Sequence, residues 1–153
     1  MTAHGRIVAI CVSARKGERK KPVAHALCRA DHGVDGDAHA GPGLRQVSLL
    51  ACAAVRSLET AALRFAPGDF AENILVDGPA LDDIQSGDRL VVENGPEFEV
   101  TMLGKQCRDA GCPIRQQTGT CVMPSKGVFA RVVRSGALRP GQTITRWRRS
   151  SPQ

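Results

Sequence analysis

Short runs of β-branched and aliphatic residues, separated by glycine- and proline-rich turns, make up most of this chain. Residues 89–93 and 97–103 flank Asn94-Gly95-Pro96, which is a hairpin signal. Residues 6–13 form a β-branched run typical of a buried strand. Further strands are predicted at residues 23–28, 73–76, 128–133 and 143–147.

Helical spacing is clear in one stretch only. Apolar residues recur at helical intervals from Leu50 to Phe65, with Ser48 as the expected N-cap and Pro67-Gly68 as the stop. One helix is too few for an alternating β/α fold. We therefore predict a mainly β fold, a distorted or partly open β-barrel with one main helix at about residues 50–65 and short helical turns.

The composition is that of a soluble globular chain, with 42% hydrophobic and 24% charged residues. Its length of 153 residues fits a single domain over residues 1–153. No apolar run approaches the roughly 18 residues that a membrane span requires. The N-terminus makes a poor signal peptide, so we expect a cytoplasmic protein without a membrane partner.

The net charge is +6, and two basic stretches, residues 15–21 and 146–149, carry much of it. The plainer interpretation is a solvated loop and a frayed tail. The functional interpretation is attraction of an anion. Binding of nucleic acid would call for a series of interleaved aromatic platforms, which this chain lacks, so a small phosphorylated or oxyanionic ligand fits better.

Residues 31–43 form a loop rich in glycine, aspartate and histidine. Its side chains His32, Asp35, Asp37 and His39 are of types that bind divalent metals, but their spacing matches neither a calcium loop nor a helical histidine pair. The alternative is that the aspartates cap backbone amides of the loop itself. A glycine-rich loop that approaches a ligand through its backbone is the favoured interpretation.

Three cysteines, Cys107, Cys112 and Cys121, cluster within a short stretch, whereas the other three stand singly in apolar runs typical of core residues. In a cytosolic protein, grouped thiols are more often metal ligands, sulfur carriers or nucleophiles than disulfides. Their spacing is not that of a usual zinc site. Nearby cations favour the thiolate, which attacks, carries sulfur or binds soft metals; these cations are Lys105, Arg108 and Arg115.

Several blocks in fixed order resemble the small stand-alone MOSC domain, named after the C-terminal domain of the molybdenum cofactor sulfurase. The resemblance runs from about residue 5 to residue 147. The blocks are Gly36-Asp37-Ala38-His39-Ala40-Gly41, Arg45-Gln46-Val47-Ser48-Leu49-Leu50, Pro67-Gly68-Asp69-Phe70-Ala71-Glu72-Asn73-Ile74, Gly104-Lys105-Gln106-Cys107, Cys121-Val122-Met123-Pro124 and Gly127-Val128-Phe129-Ala130-Arg131-Val132.

The resemblance implies a distorted β-barrel with a site for the molybdenum cofactor, or for molybdate or tungstate. In larger members a cysteine carries persulfide sulfur or ligates the metal. That cysteine most resembles Cys112, while Cys121 and Cys107 match the small-domain motif, and the extra Asp109-Ala110-Gly111 stretch leaves open which thiol meets the ligand. The ligand-binding residues that it implies are Arg45, Asn73, Lys105, His39 and Arg115.

The leading hypothesis is a molybdenum cofactor-binding domain that acts as a cysteine-based sulfur carrier or metal-ligand protein. Cys112 or Cys121 would carry the sulfur or ligate the metal, with Cys107 as a neighbouring or resolving thiol. Such a domain would need a sulfur donor, because the chain lacks the domain that releases sulfur from cysteine in the full sulfurase. One alternative is a molybdenum-dependent reductase of N-hydroxylated substrates supplied by an electron-transfer partner. Another is a zinc-binding interaction module.

Overall fold

The computed structural model describes residues 2–104 and 127–149. Strands dominate these residues, and helix is confined to α1 (Cys52–Arg56) and a 3-10 turn at Pro79–Leu81. The strands are β1 (Thr2–Val12), β2 (Lys21–Val23), β3 (Ala26–Arg29), β4 (Gly33–Val34), β5 (Val47–Ala51), β6 (Ile74–Asp77), β7 (Arg89–Val92), β8 (Glu97–Leu103), β9 (Val128–Arg134), β10 (Gly136–Leu138) and β11 (Thr143–Trp147).

Seven strands close into a barrel in the order β11-β7-β8-β9-β5-β6-β1, and β2 extends it beyond β1. Closure comes from antiparallel pairing of Thr2–Arg6 with Thr143–Trp147. The strands β5 and β6 are the parallel pair of this ring. A separate sheet of β10, β3 and β4 lies beside the barrel. The predicted mainly β barrel is confirmed, and the ring is closed.

Strand β1 supplies two hydrophobic clusters because it changes register partway along. Ile7 and Ile10 lie in the barrel core, whereas Ala9 and Cys11 pack in a second cluster with residues near α1. Strict alternation would not put Ile7 and Ile10 on one face. The register with β6 shifts between Ile7 and Ala9, and this bulge leaves Val8 40% exposed.

The predicted helix at residues 50–65, with Ser48 as its N-cap, is wrong in most of its length. Leu50 belongs to β5, which pairs with β6 and β9, and α1 ends at Arg56. Beyond α1, Thr60 and Leu63 bridge each other, so local backbone pairing replaces helical hydrogen bonds. Burial of β5 between two strands outweighs the helical spacing of its apolar residues.

The other predicted strands are confirmed, one of them is divided, and short strands are added, among them β4 inside the predicted 31–43 loop. The stretch 23–28 is split between β2 and β3, with His25 between them. The short strand β10 was not predicted, and it pairs with β3. No helix within residues 2–104 and 127–149 is both long and apolar enough to cross a membrane.

Candidate functional site

Asn73 lies immediately before β6, where three strands of the barrel meet. Its Oδ1 accepts a hydrogen bond from the Ser48 N–H at 3.0 Å, and its Nδ2 donates to the Cys11 carbonyl oxygen at 3.0 Å. Asn73 is fully buried, so its amide cross-links β1, β5 and β6. Ser48 Oγ accepts from the Asn73 N–H at 3.0 Å instead of capping a helix. A ligand-binding role for Asn73 stays a prediction beside this structural one.

A buried lysine lies just beyond the C-terminal end of β1. Lys20 Nζ donates to Asp37 Oδ1 at 2.7 Å and to Ser13 Oγ at 3.1 Å, and it lies 3.0 Å from His39 Nδ1. The side chains of Lys20 and Asp37 have no solvent exposure, whereas that of His39 is 22% exposed. An ammonium group has three N–H donors, so these contacts use all of them. We call Ser13, Lys20, Asp37 and His39 the lysine cluster.

Asp37 is the counter-ion of the lysine cluster. Its carboxylate also accepts the backbone N–H of Ser13 at 3.0 Å and that of His39 at 3.1 Å. Burial by itself raises the pKa of Asp37, but the hydrogen bonds from Lys20, Ser13 and His39 lower it below its ordinary value. Asp37 is therefore a carboxylate at neutral pH and balances the charge of Lys20.

The Lys20 contact orients the His39 ring. An ammonium group offers only donors, so the 3.0 Å contact is a hydrogen bond when His39 Nδ1 is the acceptor nitrogen of the ring. His39 also has the largest exposed fraction in the lysine cluster. The buried ion pair thus holds a partly exposed imidazole in a defined orientation.

The loop before β6 packs directly against the Lys20 backbone. The Lys20 N–H donates to the Gly68 carbonyl at 2.9 Å. Gly68 has φ +91°, and a Cβ there would lie 2.6 Å from the Lys20 carbonyl carbon, so only glycine fits. Glu72 accepts the N–H groups of Gly68 and Phe70 at 2.9 and 3.1 Å. Burial raises the pKa of Glu72, although these hydrogen bonds partly oppose it.

Arg45 lies beside the strands that flank residues 105–126. Its guanidinium carbon is 5.7 Å from the centroid of the Phe129 ring, within cation–π range. The Gly104 N–H donates to the Gly127 carbonyl at 2.8 Å, so β8 ends and β9 begins side by side. The structure therefore places the exposed Arg45 near the point where the cysteine-containing stretch leaves and rejoins the barrel.

The three described cysteines are poor nucleophiles. Burial raises the pKa of Cys28 to about 12. Burial and, secondarily, Glu72 raise that of Cys11 to about 12, with Lys20 opposing. Burial likewise raises the pKa of Cys52, which packs against the second hydrophobic cluster. Their prediction as packed residues is confirmed.

The predicted residues Cys107, Cys112, Cys121, Lys105 and Arg115 lie outside the described residues. Their roles as sulfur carrier, metal ligand or anion-binding group stay predictions.

Acidic residues of the 31–43 loop form hydrogen bonds and ion pairs with neighbouring side chains. Asp31 Oδ1 accepts from Gln46 Nε2 at 3.1 Å, and Asp35 pairs with Arg29 at 3.2 Å. Within residues 2–104 and 127–149, no three His, Cys, Asp or Glu side chains are grouped to hold a metal ion. A metal centre made by this loop alone is therefore not supported.

Sequence reasoning missed Lys20. The basic stretch 15–21 was interpreted most simply as a solvated loop, which fits its exposed residues but is wrong for Lys20, which is 2% exposed. No local pattern separates Lys20 from its basic neighbours. Its burial arises from contacts with Asp37 and Gly68, which are distant in sequence.

One comparison with known proteins identifies a family: the sequence model of the MOSC domain matches residues 35–145. No curated protein matches this chain. Several solved structures share the fold, including the following three. The YuaD protein from Bacillus subtilis has 18% identity over 95% of this chain and 97% of its own, with a TM-score of 0.79.

The others are YiiM from Geobacillus stearothermophilus and YiiM from Escherichia coli. The first has 20% identity over 94% of this chain and 75% of its own, with a TM-score of 0.69. The second has 19% identity over 96% of this chain and 72% of its own, with a TM-score of 0.62. At these identities the structures show the fold alone. The match over residues 35–145 shows that this chain belongs to the MOSC domain family.

Proposed function

We propose that this MOSC domain binds an anionic molybdenum or tungsten ligand beside the lysine cluster. The ligand would be the molybdenum cofactor, molybdate or tungstate. The domain would act as a cysteine-based sulfur carrier or metal-ligand protein in cofactor metabolism. The observation that carries the proposal is the buried Lys20–Asp37 pair that orients His39. A fully buried ion pair is costly to desolvate, and one that orients a partly exposed imidazole is typical of a functional site.

The described residues fit the anionic part of such a ligand. Lys20 holds His39 at the partly exposed edge of the lysine cluster, where a phosphate or oxo group would meet its imidazole. The lysine cluster is itself neutral, so positive charge would come from the exposed side chains beside Lys20 and from Arg45. Those neighbours are Arg15, Lys16, Arg19 and Lys21.

No three His, Cys, Asp or Glu side chains among the described residues are grouped to hold a metal ion, and the proposal assigns the metal-ligand role to Cys112 or Cys121. Bound molybdenum would supply oxo and sulfur-transfer chemistry, and a thiolate from the cysteine stretch is the soft ligand suited to it. The chain itself would bind and orient the anion through His39 and Arg45.

Elemental analysis of protein expressed with molybdate tests the proposal. We expect co-purified molybdenum or pterin, lost in His39→Gln and retained in His25→Gln, which changes an exposed histidine outside the lysine cluster. Persulfide labelling should fall in one or more of the single Cys→Ser variants at positions 107, 112 and 121. Absence of metal and pterin, together with unchanged labelling in all three variants, would contradict the proposal.

The same purified proteins distinguish the two alternative functions from the proposed one. Stoichiometric zinc with tetrahedral thiolate spectra would favour a zinc-binding module. Turnover of an N-hydroxylated substrate with an artificial electron donor would favour a molybdenum-dependent reductase.

A further inference from the structure

A groove of about 820 Å³ lies on the barrel away from the lysine cluster. Two exposed apolar side chains line it, Leu44 at 60% and Trp147 at 52% exposure. Three arginines, Arg89, Arg148 and Arg149, line it as well. Its volume falls within the range of small-molecule sites. We call it the Trp147 groove.

The Trp147 groove and the lysine cluster are associated with opposite ends of β1. Trp147 pairs with Thr2 at the first residue of the strand, whereas Lys21, next to Lys20, pairs with Val12 at the last. A strand of 11 residues spans about 35 Å. The Trp147 side of the groove therefore lies at the other end of β1 from the lysine cluster, whereas Leu44 borders the groove and is next in sequence to Arg45.

The charge of the Trp147 groove is positive and incompletely balanced. Arg148 pairs with Asp88 at 3.0 Å, and Arg89 pairs with Glu97 at 2.9 Å and with Glu99 at 3.3 Å. The Arg149 backbone N–H donates to Asp88 Oδ1 at 3.1 Å, but its guanidinium has no hydrogen bond or ion pair with any residue that the structure describes. The lining thus contains three arginines and one glutamate.

The Arg149 side chain is held along the wall of the groove. A Cβ on Gly87 would lie 2.7 Å from Arg149 Cδ and 3.5 Å from its Nε, so the aliphatic part of Arg149 passes directly over this glycine. Gly87 and Trp147 line the same groove. An uncompensated guanidinium and a broad aromatic face therefore border one concave surface.

We propose that the Trp147 groove binds a small ligand made of an aromatic ring and a phosphate, such as a nucleoside monophosphate. The ring stacks on Trp147, and the phosphate pairs with Arg149. Trp147 is the one tryptophan of a chain without tyrosine, so the groove offers one stacking platform. Single-stranded nucleic acid uses successive platforms. A single ring with a compact anion matches this lining better.

The lone tryptophan makes the proposal directly measurable. Adenosine monophosphate should quench the fluorescence of Trp147 saturably, and adenosine should bind about tenfold more weakly for lack of the phosphate. Inorganic phosphate should not quench the fluorescence of Trp147, but it should compete with adenosine monophosphate for the groove. Calorimetry should show that Trp147→Leu also weakens the binding of adenosine monophosphate.

Two matched variants test the role of Arg149. Arg149→Ala should weaken the binding of adenosine monophosphate about fivefold to tenfold. Arg139→Ala removes the same charge from an exposed site outside the groove and should change affinity by less than about twofold.

Equal effects of the two arginine variants, equal binding of adenosine and its monophosphate, or no binding at millimolar concentration would overturn the proposal. Tighter, strongly salt-dependent binding of a single-stranded oligonucleotide would overturn it in favour of nucleic acid. Quenching by an acidic peptide but not by adenosine monophosphate would overturn it in favour of a protein partner.

Discussion

Replacing Lys20 by methionine leaves Asp37 charged and buried without its counter-ion. The change removes a 2.7 Å charge-assisted hydrogen bond between two side chains that have no solvent exposure. Breaking a buried pair from one side costs about 3–5 kcal/mol. Since domains are stable by about 5–15 kcal/mol, Lys20→Met is expected to lose a large part of its free energy of unfolding.

The double variant Lys20→Met/Asp37→Asn separates the charge effect from the loss of packing. An asparagine oxygen can still accept the N–H groups of Ser13 and His39, and no unpaired charge remains. We expect the double variant to be more stable than Lys20→Met alone by about 2 kcal/mol.

Urea unfolding at pH 7, followed by circular dichroism, gives these free energies. Lys16→Met is the matched control, because it removes an exposed lysine from the same basic stretch. If Lys20→Met lies within about 1 kcal/mol of Lys16→Met, or if adding Asp37→Asn brings no recovery, the buried pair does not stabilise the fold as argued.

Three further predictions concern the backbone, the acid limit and the thiols. Gly68→Ala should destabilise by about 2–4 kcal/mol in urea unfolding, because its Cβ meets the backbone of the preceding basic loop, whereas Gly17→Ala, also at positive φ but in open space, should cost about 1 kcal/mol. Comparable costs at the two glycines would contradict this. The pKa of Asp37 is lower in the folded protein than in the unfolded chain, so its stabilisation is fully present above its ordinary pKa and is lost as the pH falls through the folded value. Thermal melts from pH 6 to pH 2 give the melting temperature at each pH. Below about pH 4, the melting temperature of Asp37→Asn should therefore fall less with decreasing pH than that of the parent, and equal slopes would contradict this prediction. Native protein at pH 8 should not be alkylated at Cys11 or Cys28, whose thiols have a pKa of about 12. Peptide mass spectrometry after brief labelling would refute this if either residue were modified, and fast labelling should be lost in a triple Cys→Ser variant at 107, 112 and 121.

The strand content of the barrel could be predicted because the relevant signals are local. The β7–β8 hairpin, for instance, follows from two apolar runs around Asn94-Gly95-Pro96, and Asn94 has a positive φ of 55° in this connection. The helix predicted at residues 50–65 was too long because helical spacing concerns only the positions of apolar side chains. The backbone of Leu50 instead pairs with a neighbouring strand. Such pairing depends on partners that a window of sequence does not contain.

The candidate site was only partly predictable for the same reason. His39 belongs to a recognisable block, and the structure shows it in contact with Lys20. The residues next to Lys20 in sequence do not distinguish it from the other basic residues of the stretch 15–21. Ligand binding by Asn73 stays a prediction, while its observed amide contacts with Ser48 and Cys11 depend on strands that are distant in sequence. Long-range partners thus decide which polar residues are buried.

Closure of the barrel by β1 and β11 also sets the order in which this protein can fold during synthesis. Residues Thr2–Arg6 of β1 pair with Thr143–Trp147, so this part of the strand edge stays unpaired until nearly all of the described chain has left the ribosome. Pairing across such a sequence separation is slow, and folding in milliseconds to seconds is expected for β topologies of high contact order. Until then the open edge of β1 is a site for wrong pairing, and chaperone demand should fall sharply once β11 emerges.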